Sequence, residues 1–232
     1  MKSSSYKNIF FDLDHTLWDF EANSRESLNE IFETHGLINH VTSKELFIKE
    51  YQLINKQLWD LYHKNLVDRD TLRLTRFALT LEKFNVYDLQ LSIKLADDYV
   101  HVSPYKGKLF PNAHEVLGEL KKKYRLHIIT NGFKEVQHIK IKSSDLEKYF
   151  DHIFISEEVG FNKPQPEMFK HAMRIAKTNS SESIMVGDNY EVDILGAAGV
   201  GMATVFFNPE KIPNDYKTTF QISELLELME LM

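Results

Sequence analysis

The 232-residue chain contains no cysteine, so disulfide bonds, thiolate metal ligands and cysteine nucleophiles are all excluded. No segment approaches the ~20 consecutive apolar residues of a membrane-spanning helix. An excess of positive charge is also lacking: the formal net charge is −6, which disfavours binding of nucleic-acid polymers. The N-terminal MKSSSYKN precedes a strand-like segment and has no signal-peptide pattern. We therefore expect a cytoplasmic protein with neither a membrane nor nucleic acid as a partner.

Five short segments rich in β-branched and aromatic residues are predicted to be strands. Helical patterns at 112–123, 166–177 and 223–231 lie between or after them. Strands that alternate with helices are expected to form a parallel sheet covered on both faces. The predicted strands are KNIFF (7–11), LHIIT (126–130), HIFIS (152–156), SIMVG (183–187) and MATVFF (202–207).

The long segment between the first two predicted strands has a different pattern. Its apolar residues recur every three or four positions, for example Phe47, Tyr51 and Ile54, and predict four helices and no strand. The predicted architecture is therefore α/β, a Rossmann-like parallel-sheet core with an inserted all-helical cap domain. We expect the core to comprise residues 1–17 and 106–232, and the cap to comprise residues 18–105.

Two acidic residues, Asp12 and Asp14, follow the first predicted strand. The carboxyl ends of parallel strands form the edge of a sheet where ligands bind. Two close carboxylates resist simultaneous ionisation, and a hard cation such as Mg²⁺ would relieve their repulsion. A strand end followed by a turn explains the same two residues, so the pair alone does not decide between a turn and a site.

Further polar residues follow three later predicted strands. Thr130 and Asn131 lie in a TNG sequence that suits an anion-binding cradle, Lys163 precedes a helix, and Asp188 and Asp193 follow the fourth strand. Each has an ordinary explanation as a turn residue, a solvated lysine or a favourable charge at a helix start. Their joint occurrence predicts a phosphoryl-transfer site.

The motifs, in this order, resemble those of the haloacid dehalogenase superfamily of phosphohydrolases with a C1-type helical cap. They are DLDHT (12–16), IITNG (128–132), KP (163–164) and GDNYEVD (187–193). The stretch DHTLWDFEANSRESL, which follows the first strand, is most similar to the bacterial pyrimidine 5′-nucleotidase subgroup.

This resemblance implies a catalytic role for both acids of the first motif. Asp12 would attack phosphorus and form an aspartyl-phosphate, and Asp14 would act as general acid and then as general base. Mg²⁺ would be the cofactor, held by the Asp12 carboxylate, the Asp14 backbone carbonyl and Asp188. Family members that attack carbon, the haloalkanoate dehalogenases, lack an acid at the position of Asp14, so its presence favours phosphate esters.

The resemblance also implies roles for the other motifs. Thr130 and the Asn131 amide would bind phosphate oxygens, and Lys163 would bridge the phosphate and the nucleophile. Asp193 would not bind the metal itself but would orient the residues around the metal. Trp18, close to the start of the cap, is the candidate for selecting the substrate.

We therefore expect a phosphatase whose substrate is a small phosphorylated metabolite, and the expected substrate is a pyrimidine nucleoside 5′-monophosphate. Two alternatives remain at this point. A phosphosugar phosphatase or mutase shares these motifs, and a receiver-like signalling domain also uses acids, Thr and Lys around a phosphorylated Asp. The large helical insertion and the DxD spacing count against the receiver. The expected oligomeric state is a monomer or a homodimer.

Overall fold

Six parallel strands form one sheet in the computed structural model, which describes residues 6–64 and 66–232. In chain order the strands are β1 (Asn8–Phe11), β2 (Arg125–Thr130), β3 (His152–Ile155), β4 (Ser183–Gly187), β5 (Ala203–Phe207) and β6 (Phe220–Ile222). Their order across the sheet is β3-β2-β1-β4-β5-β6, and each neighbouring pair is parallel. The predicted α/β class and parallel sheet are confirmed.

The central strand, β1, is the point where the strand order reverses. The chain runs from β1 to β2 and β3 on one side, and then crosses to β4 on the other side. Phe11 at the end of β1 is therefore in register with Ile128 of β2 and Val186 of β4. In open α/β sheets ligands bind beyond the carboxyl ends of the strands at such a reversal.

Contacts within the chain define two compact units, each of which has its own interior. The first unit contains the sheet and consists of the chain up to Phe20 together with Gly107–Met232, and the second is Glu21–Lys106. The helices, in chain order, are α1 (Phe20–Thr34), α2 (Lys44–His63), α3 (Arg69–Glu82), α4 (Leu89–Val102), α5 (Ala113–Leu120), α6 (Lys134–Ser143), α7 (Ser156–Val159), α8 (Pro166–Ala176), α9 (Gly196–Gly199) and α10 (Leu228–Leu231).

Both faces of the sheet are buried, which explains why the strands are continuous apolar runs. Successive side chains of β1 point to opposite faces. Phe11 belongs to the apolar cluster that contains Leu117 of α5, whereas Phe10 belongs to the cluster that contains Phe169 of α8. The sheet is therefore packed between two layers of helices.

The second unit is helical, as the periodicity predicts. Phe47, Tyr51, Phe77 and Leu95, from α2, α3 and α4, share one buried apolar cluster. Each of these helices also begins after a residue whose side chain accepts a backbone N–H bond, which satisfies one free donor of the first turn. These N-caps are Ser43, Asp68 and Asp88, at 3.3, 2.7 and 2.9 Å.

Several elements differ from the sequence expectations. The strand β6 and the helix α6 were not predicted, and the predicted helix over 223–231 is a 3₁₀ turn at Leu225–Glu227 followed by the short α10. A three-residue strand is too short to show a pattern, and the buried face of α6 carries polar residues.

Within residues 6–64 and 66–232, no helix has the length and apolar character needed to cross a membrane.

A buried histidine in β2 makes the stability of the fold sensitive to pH. The Nε2 atom of His127 lies 3.1 Å from Asn8 Oδ1, and its Nδ1 atom has no hydrogen-bond partner among the described residues. A second proton on the ring would therefore be buried without an acceptor. Burial, with smaller effects from His152 and Arg125, lowers the pKa of His127 from 6.5 to about 4.

This lowered pKa predicts a loss of stability in mild acid. The unfolded chain takes up the proton below pH 6.5 but the folded chain only near pH 4, so stability falls as the pH drops through that window. Between pH 7 and pH 5 the wild type is expected to lose about 2 kcal/mol of unfolding free energy through this group. Urea denaturation should show that His127→Gln lacks this loss and that the exposed His138→Gln control retains it. Equal losses in His127→Gln and wild type would contradict the assignment.

Candidate active site

Three carboxyl groups come together beyond the carboxyl ends of the central strands. Asp12 follows β1, Asp188 follows β4, and Asp193 lies in the π-helical turn Tyr190–Leu195. One oxygen from each carboxyl lies within 4.8 Å of the others. The structure therefore brings together acids that are 181 residues apart in the sequence, from Asp12 to Asp193.

Lys163 supplies the positive charge of this acidic cluster. Its side chain is 2% exposed, and its Nζ lies 2.5 Å from Asp12 Oδ1 and 2.7 Å from Asp193 Oδ1. Burial alone would lower the pKa of Lys163, but the carboxylates of Asp12 and Asp193 outweigh it and raise that pKa. The ammonium group therefore stays charged and orients one oxygen of Asp12.

The side chain of Asn131 holds the segment that carries Lys163. Its Nδ2 donates to the Lys163 carbonyl oxygen and its Oδ1 accepts from the Lys163 N–H, both at 2.8 Å. These bonds use one N–H and the oxygen of the side-chain amide, so the side chain of Asn131 positions Lys163.

Thr16, the last residue of the first motif, links two of the acids. Its hydroxyl lies 3.4 Å from Asp12 Oδ2 and 3.2 Å from Asp188 Oδ1, and its side chain is fully buried. One hydroxyl proton serves one acceptor well, so these long contacts leave both carboxyl oxygens available to a stronger partner.

The electrostatics of the cluster suit a divalent cation. Burial and the charges of Asp193 and Asp188 raise the pKa of Asp12 well above its usual range, although Lys163 opposes them. Burial and the Asp193 charge raise the pKa of Asp188 to about 8. The donors are all oxygen atoms, which Mg²⁺ prefers, and its charge would stabilise the ionised carboxylates. The residues therefore fit Mg²⁺.

A glycine makes room for the third acid. A Cβ on Gly187, the residue before Asp188, would lie 2.4 Å from Asp193 Oδ2. The same Asp193 oxygen accepts a bond from the Asn189 backbone N–H at 3.1 Å. The Gly-Asp pair of the fourth motif therefore reflects close packing at the strand end as well as the need for a carboxylate.

Asp14 is held by two residues that the sequence did not single out. Lys140 Nζ lies 2.5 Å from Asp14 Oδ1, and Gln137 Nε2 lies 2.8 Å from Asp14 Oδ2. Both belong to α6, and both are buried. Their spacing of three residues places them on one helix face, which is the signal that a search for buried polar periodicity could have found.

Gln137 also connects Asp14 to Thr130. Its Nε2 lies 2.7 Å from Thr130 Oγ1, and the Gly132 N–H donates to the same oxygen at 3.1 Å. Both bonds use the oxygen as an acceptor, so the Thr130 hydroxyl proton is left to donate. A Cβ on Gly132 would overlap Gln137 at 2.3 Å, which explains the glycine in TNG.

Trp18 does not occupy the place expected for a substrate-selecting residue. It is fully buried within the core cluster of the first unit, and Lys140 Nζ lies 4.2 Å from its ring centroid. The expectation that Trp18 selects the substrate is therefore corrected, because its ring has no exposed surface that a substrate could contact. The ring instead forms a cation–π contact with Lys140, the residue that contacts Asp14.

Comparison with known families decides which protein family has this arrangement. The haloacid dehalogenase-like hydrolases match residues 6–201 of the chain. The chain belongs to this family. The predicted resemblance is confirmed, and with it the Rossmann-like core with a helical insertion.

Relatives of this haloacid dehalogenase-like hydrolase cover nearly its whole length. YfnB of Bacillus subtilis, named a HAD-hydrolase, is 29% identical over 98% of this chain and 95% of its own length. Pyrimidine 5′-nucleotidase YjjG of Escherichia coli is 33% identical (97% and 96%), and pyrimidine 5′-nucleotidase PynA of Streptococcus pneumoniae is 28% identical (98% and 95%). The magnesium-bound crystal structure of YfnB has a TM-score of 0.88 at 28% identity, covering 97% of this chain and 98% of that one.

Proposed function

We propose that the chain is a Mg²⁺-dependent phosphatase that hydrolyses pyrimidine nucleoside 5′-monophosphates through an aspartyl-phosphate on Asp12. The observation that carries the proposal is the pairing of two acids with two different lysines. Asp12 contacts the buried Lys163, and Asp14 contacts Lys140. YjjG and PynA, which are named pyrimidine 5′-nucleotidases, support the choice of substrate.

In the first half of the reaction, the Asp12 carboxylate attacks phosphorus and the ester P–O bond breaks. Lys163 orients Asp12 and neutralises charge on the phosphate, and the Thr130 hydroxyl and the Asn131 backbone N–H donate to phosphate oxygens. Asp14 gives its proton to the leaving alkoxide, which departs as an alcohol.

In the second half, a water molecule attacks the phosphorus of the aspartyl-phosphate. Asp14, now ionised, takes a proton from that water, and the bond between phosphorus and the Asp12 oxygen breaks. Inorganic phosphate leaves, Asp12 is a carboxylate again and Asp14 carries a proton. Gln137 and Lys140 keep the Asp14 carboxyl in one place for both transfers.

The metal would be held by the carboxylates of Asp12 and Asp188 and by the backbone carbonyl of Asp14. When bound, Mg²⁺ supplies charge that stabilises the phosphate oxygens during transfer. The Asp193 carboxylate accepts hydrogen bonds from Lys163 and from the Asn189 N–H, so its proposed role is to position Lys163.

Asp14 also favours a phosphate ester over a halogenated acid. A halide leaves as a stable anion, whereas an alkoxide needs a proton, and Asp14 is the group that can supply it. We further propose that the second unit selects the alcohol part of the substrate, as the cap of the enzyme.

A substrate panel tests the proposed function. Phosphate release is measured with Mg²⁺ and with EDTA for dUMP, dTMP, UMP, purine nucleoside monophosphates and sugar phosphates. We expect the highest kcat/KM for the pyrimidine nucleotides and no release in EDTA. Efficient release from a sugar phosphate with inert nucleotides would overturn the nucleotidase assignment but leave a phosphatase. Conversion of a sugar phosphate into its isomer would indicate a mutase instead.

Lys140→Met should affect substrates according to their leaving group. The variant loses one of the two groups that hold Asp14. Proton transfer from Asp14 to the alkoxide of a leaving nucleoside is therefore expected to slow about 30-fold. The initial burst of p-nitrophenol from p-nitrophenyl phosphate should slow much less, because p-nitrophenolate leaves without a proton. Rapid-quench and stopped-flow measurements of the first turnover compare the two substrates.

Lys142→Met, an exposed lysine on the same helix, is the matched control and should leave both first-turnover rates unchanged. Equal slowing of both substrates in Lys140→Met would show that Lys140 does not act through proton transfer by Asp14.

A further inference from the structure

The proposed reaction gives no role to the side chain of His15, which lies within the first motif between Asp14 and Thr16. Its backbone has a φ of 64°, in the left-handed region that glycine adopts without strain and that other residues adopt at a cost in free energy. Its N–H donates to the Trp18 carbonyl oxygen at 3.0 Å. This turn uses only the backbone of His15, so glycine would serve it better, and the imidazole needs a separate explanation.

The His15 ring packs against one aromatic side chain and uses neither of its nitrogen atoms. Its centroid lies 4.7 Å from that of Phe20, with 32° between the two planes, and the side chain is partly exposed. Among residues 6–64 and 66–232, neither ring nitrogen has a hydrogen-bond or ion-pair partner. An apolar ring would make the same contact with Phe20. What the imidazole adds is two nitrogen atoms that can bind a partner from outside the chain.

The Phe20 ring also links His15 to the general acid. The Phe20 centroid lies 5.5 Å from Lys140 Nζ, and that nitrogen lies 2.5 Å from Asp14 Oδ1. All four residues belong to the first unit, so their arrangement is a property of that unit alone. His15 also follows Asp14 directly, which places their Cα atoms about 3.8 Å apart. The imidazole therefore lies beside the side chains that hold the Asp14 carboxyl group.

The exposure of Asp14 limits where the leaving alcohol can lie. Proton transfer requires a hydrogen bond between the Asp14 carboxyl and the ester oxygen. The Asp14 side chain is 22% exposed, so the ester oxygen must approach through this exposed part. The neighbouring side chains of Leu13 and Thr16 are fully buried, whereas that of His15 is partly exposed. Within the first motif, His15 is therefore the side chain next to Asp14 that the alcohol can contact.

We propose that His15 is a specificity residue that hydrogen-bonds a hydroxyl group of the substrate's alcohol part, close to the ester oxygen. A neutral imidazole presents one N–H donor and one nitrogen acceptor, and a hydroxyl group can both donate and accept, so the two groups are complementary. The inference rests on the proposed phosphatase reaction. In a pyrimidine nucleoside 5′-monophosphate, the 3′-hydroxyl of the sugar is such a group.

Pairs of substrates that differ in this hydroxyl group test the assignment. The first pair is dUMP and 2′,3′-dideoxyuridine 5′-monophosphate, which lacks the 3′-hydroxyl. For the wild type, kcat/KM is expected to be about fivefold higher for dUMP, the scale of one neutral hydrogen bond. The second pair, glycerol 1-phosphate and propyl phosphate, contains no base. It tests His15 in the same way if the enzyme hydrolyses small phosphate esters but not nucleotides.

His15→Gly removes the imidazole and keeps a residue that adopts the left-handed φ without strain. We expect the ratio of kcat/KM within a pair to fall to about 1, because the hydroxylated member loses its hydrogen bond. The urea midpoint should stay close to the wild-type value. His15→Asn, which also tolerates this φ and keeps a donor and an acceptor, should restore part of the ratio.

Lys177→Gly is the matched control for the change in backbone. Lys177 is an exposed residue of the first unit that follows α8, and its φ is 54°. The substitution therefore also places glycine at a left-handed position, but far along the chain from the motifs. It should leave the ratio within each pair at the wild-type value.

Two results would overturn the inference and leave the phosphatase reaction intact. A wild-type ratio of about 1 in the pair that is hydrolysed would show that the hydroxyl group is not recognised. A His15→Gly variant that retains the wild-type ratio, with or without an equal loss for both substrates, would show a structural role or none. A wild-type enzyme that releases phosphate from none of the four esters would overturn the proposed function and this inference together.

Discussion

Asp12→Asn is expected to reduce phosphate release by at least about 10⁴-fold, the scale observed when a covalent nucleophile is removed from an enzyme. An amide cannot form the acyl phosphate, and the substitution leaves the size of the side chain nearly unchanged. Asp12 is 7% exposed and lies at the end of the central strand, so the loss would follow from chemistry rather than from altered packing. Steady-state phosphate release with UMP and Mg²⁺ measures it.

Asp60→Asn is the matched control for this substitution. Asp60 is a surface residue that forms an ion pair with Lys56 at 3.1 Å, and its loss should leave turnover unchanged. Mass spectrometry of the purified Asp12→Asn protein excludes deamidation back to Asp. Turnover near the wild-type rate in an undeamidated sample would rule out Asp12 as the nucleophile.

Lys163→Met is expected to damage both activity and stability. The side chain is 2% exposed and contacts Asp12 and Asp193, so its removal leaves buried carboxyl groups without their ammonium partner. Breaking a buried ion pair in this way should cost about 3 kcal/mol of unfolding free energy. Turnover should fall by about 10³-fold or more, because the phosphate also loses its cationic partner. Urea denaturation in EDTA and phosphate release in Mg²⁺ measure the two effects.

Lys122→Met provides the comparison for the stability measurement. Lys122 lies 2.6 Å from Glu119, but both side chains are more than half exposed, so this ion pair should contribute little. Unchanged unfolding free energy in Lys163→Met would show that the acids in the cluster are uncharged or otherwise compensated in the folded enzyme.

Much of the core was accessible from the sequence because parallel strands are buried on both faces. The five predicted strands are apolar runs, and each is observed within one residue of its predicted bounds. The strand β6 escaped detection because its three residues, FQI, are too few to show a period. Because the carboxyl ends of parallel strands lie at the same edge of a sheet, the acids after β1 and β4 could be expected to meet there.

Each part of the site that sequence reasoning missed has its own physical cause. Gln137 and Lys140 lie on a helix whose buried face is polar, and apolar periodicity does not detect such a face. Thr16 was seen only as a motif letter, because its contacts with Asp12 and Asp188 require the fold. Trp18 was misplaced because its indole could equally belong to the core, and the core is where it lies.

Detection of a phosphoryl group on Asp12 is the most direct test of the central claim, that Asp12 is the nucleophile. Asp14→Asn should retain phosphate binding but lack the base that hydrolyses the intermediate, and p-nitrophenyl phosphate allows the intermediate to form without an acid. We expect acid-quenched Asp14→Asn, digested and analysed by mass spectrometry, to carry one phosphoryl group on Asp12 that hydroxylamine removes. Release of p-nitrophenol in the first turnover with Asp12 unmodified in the quenched protein would contradict the account.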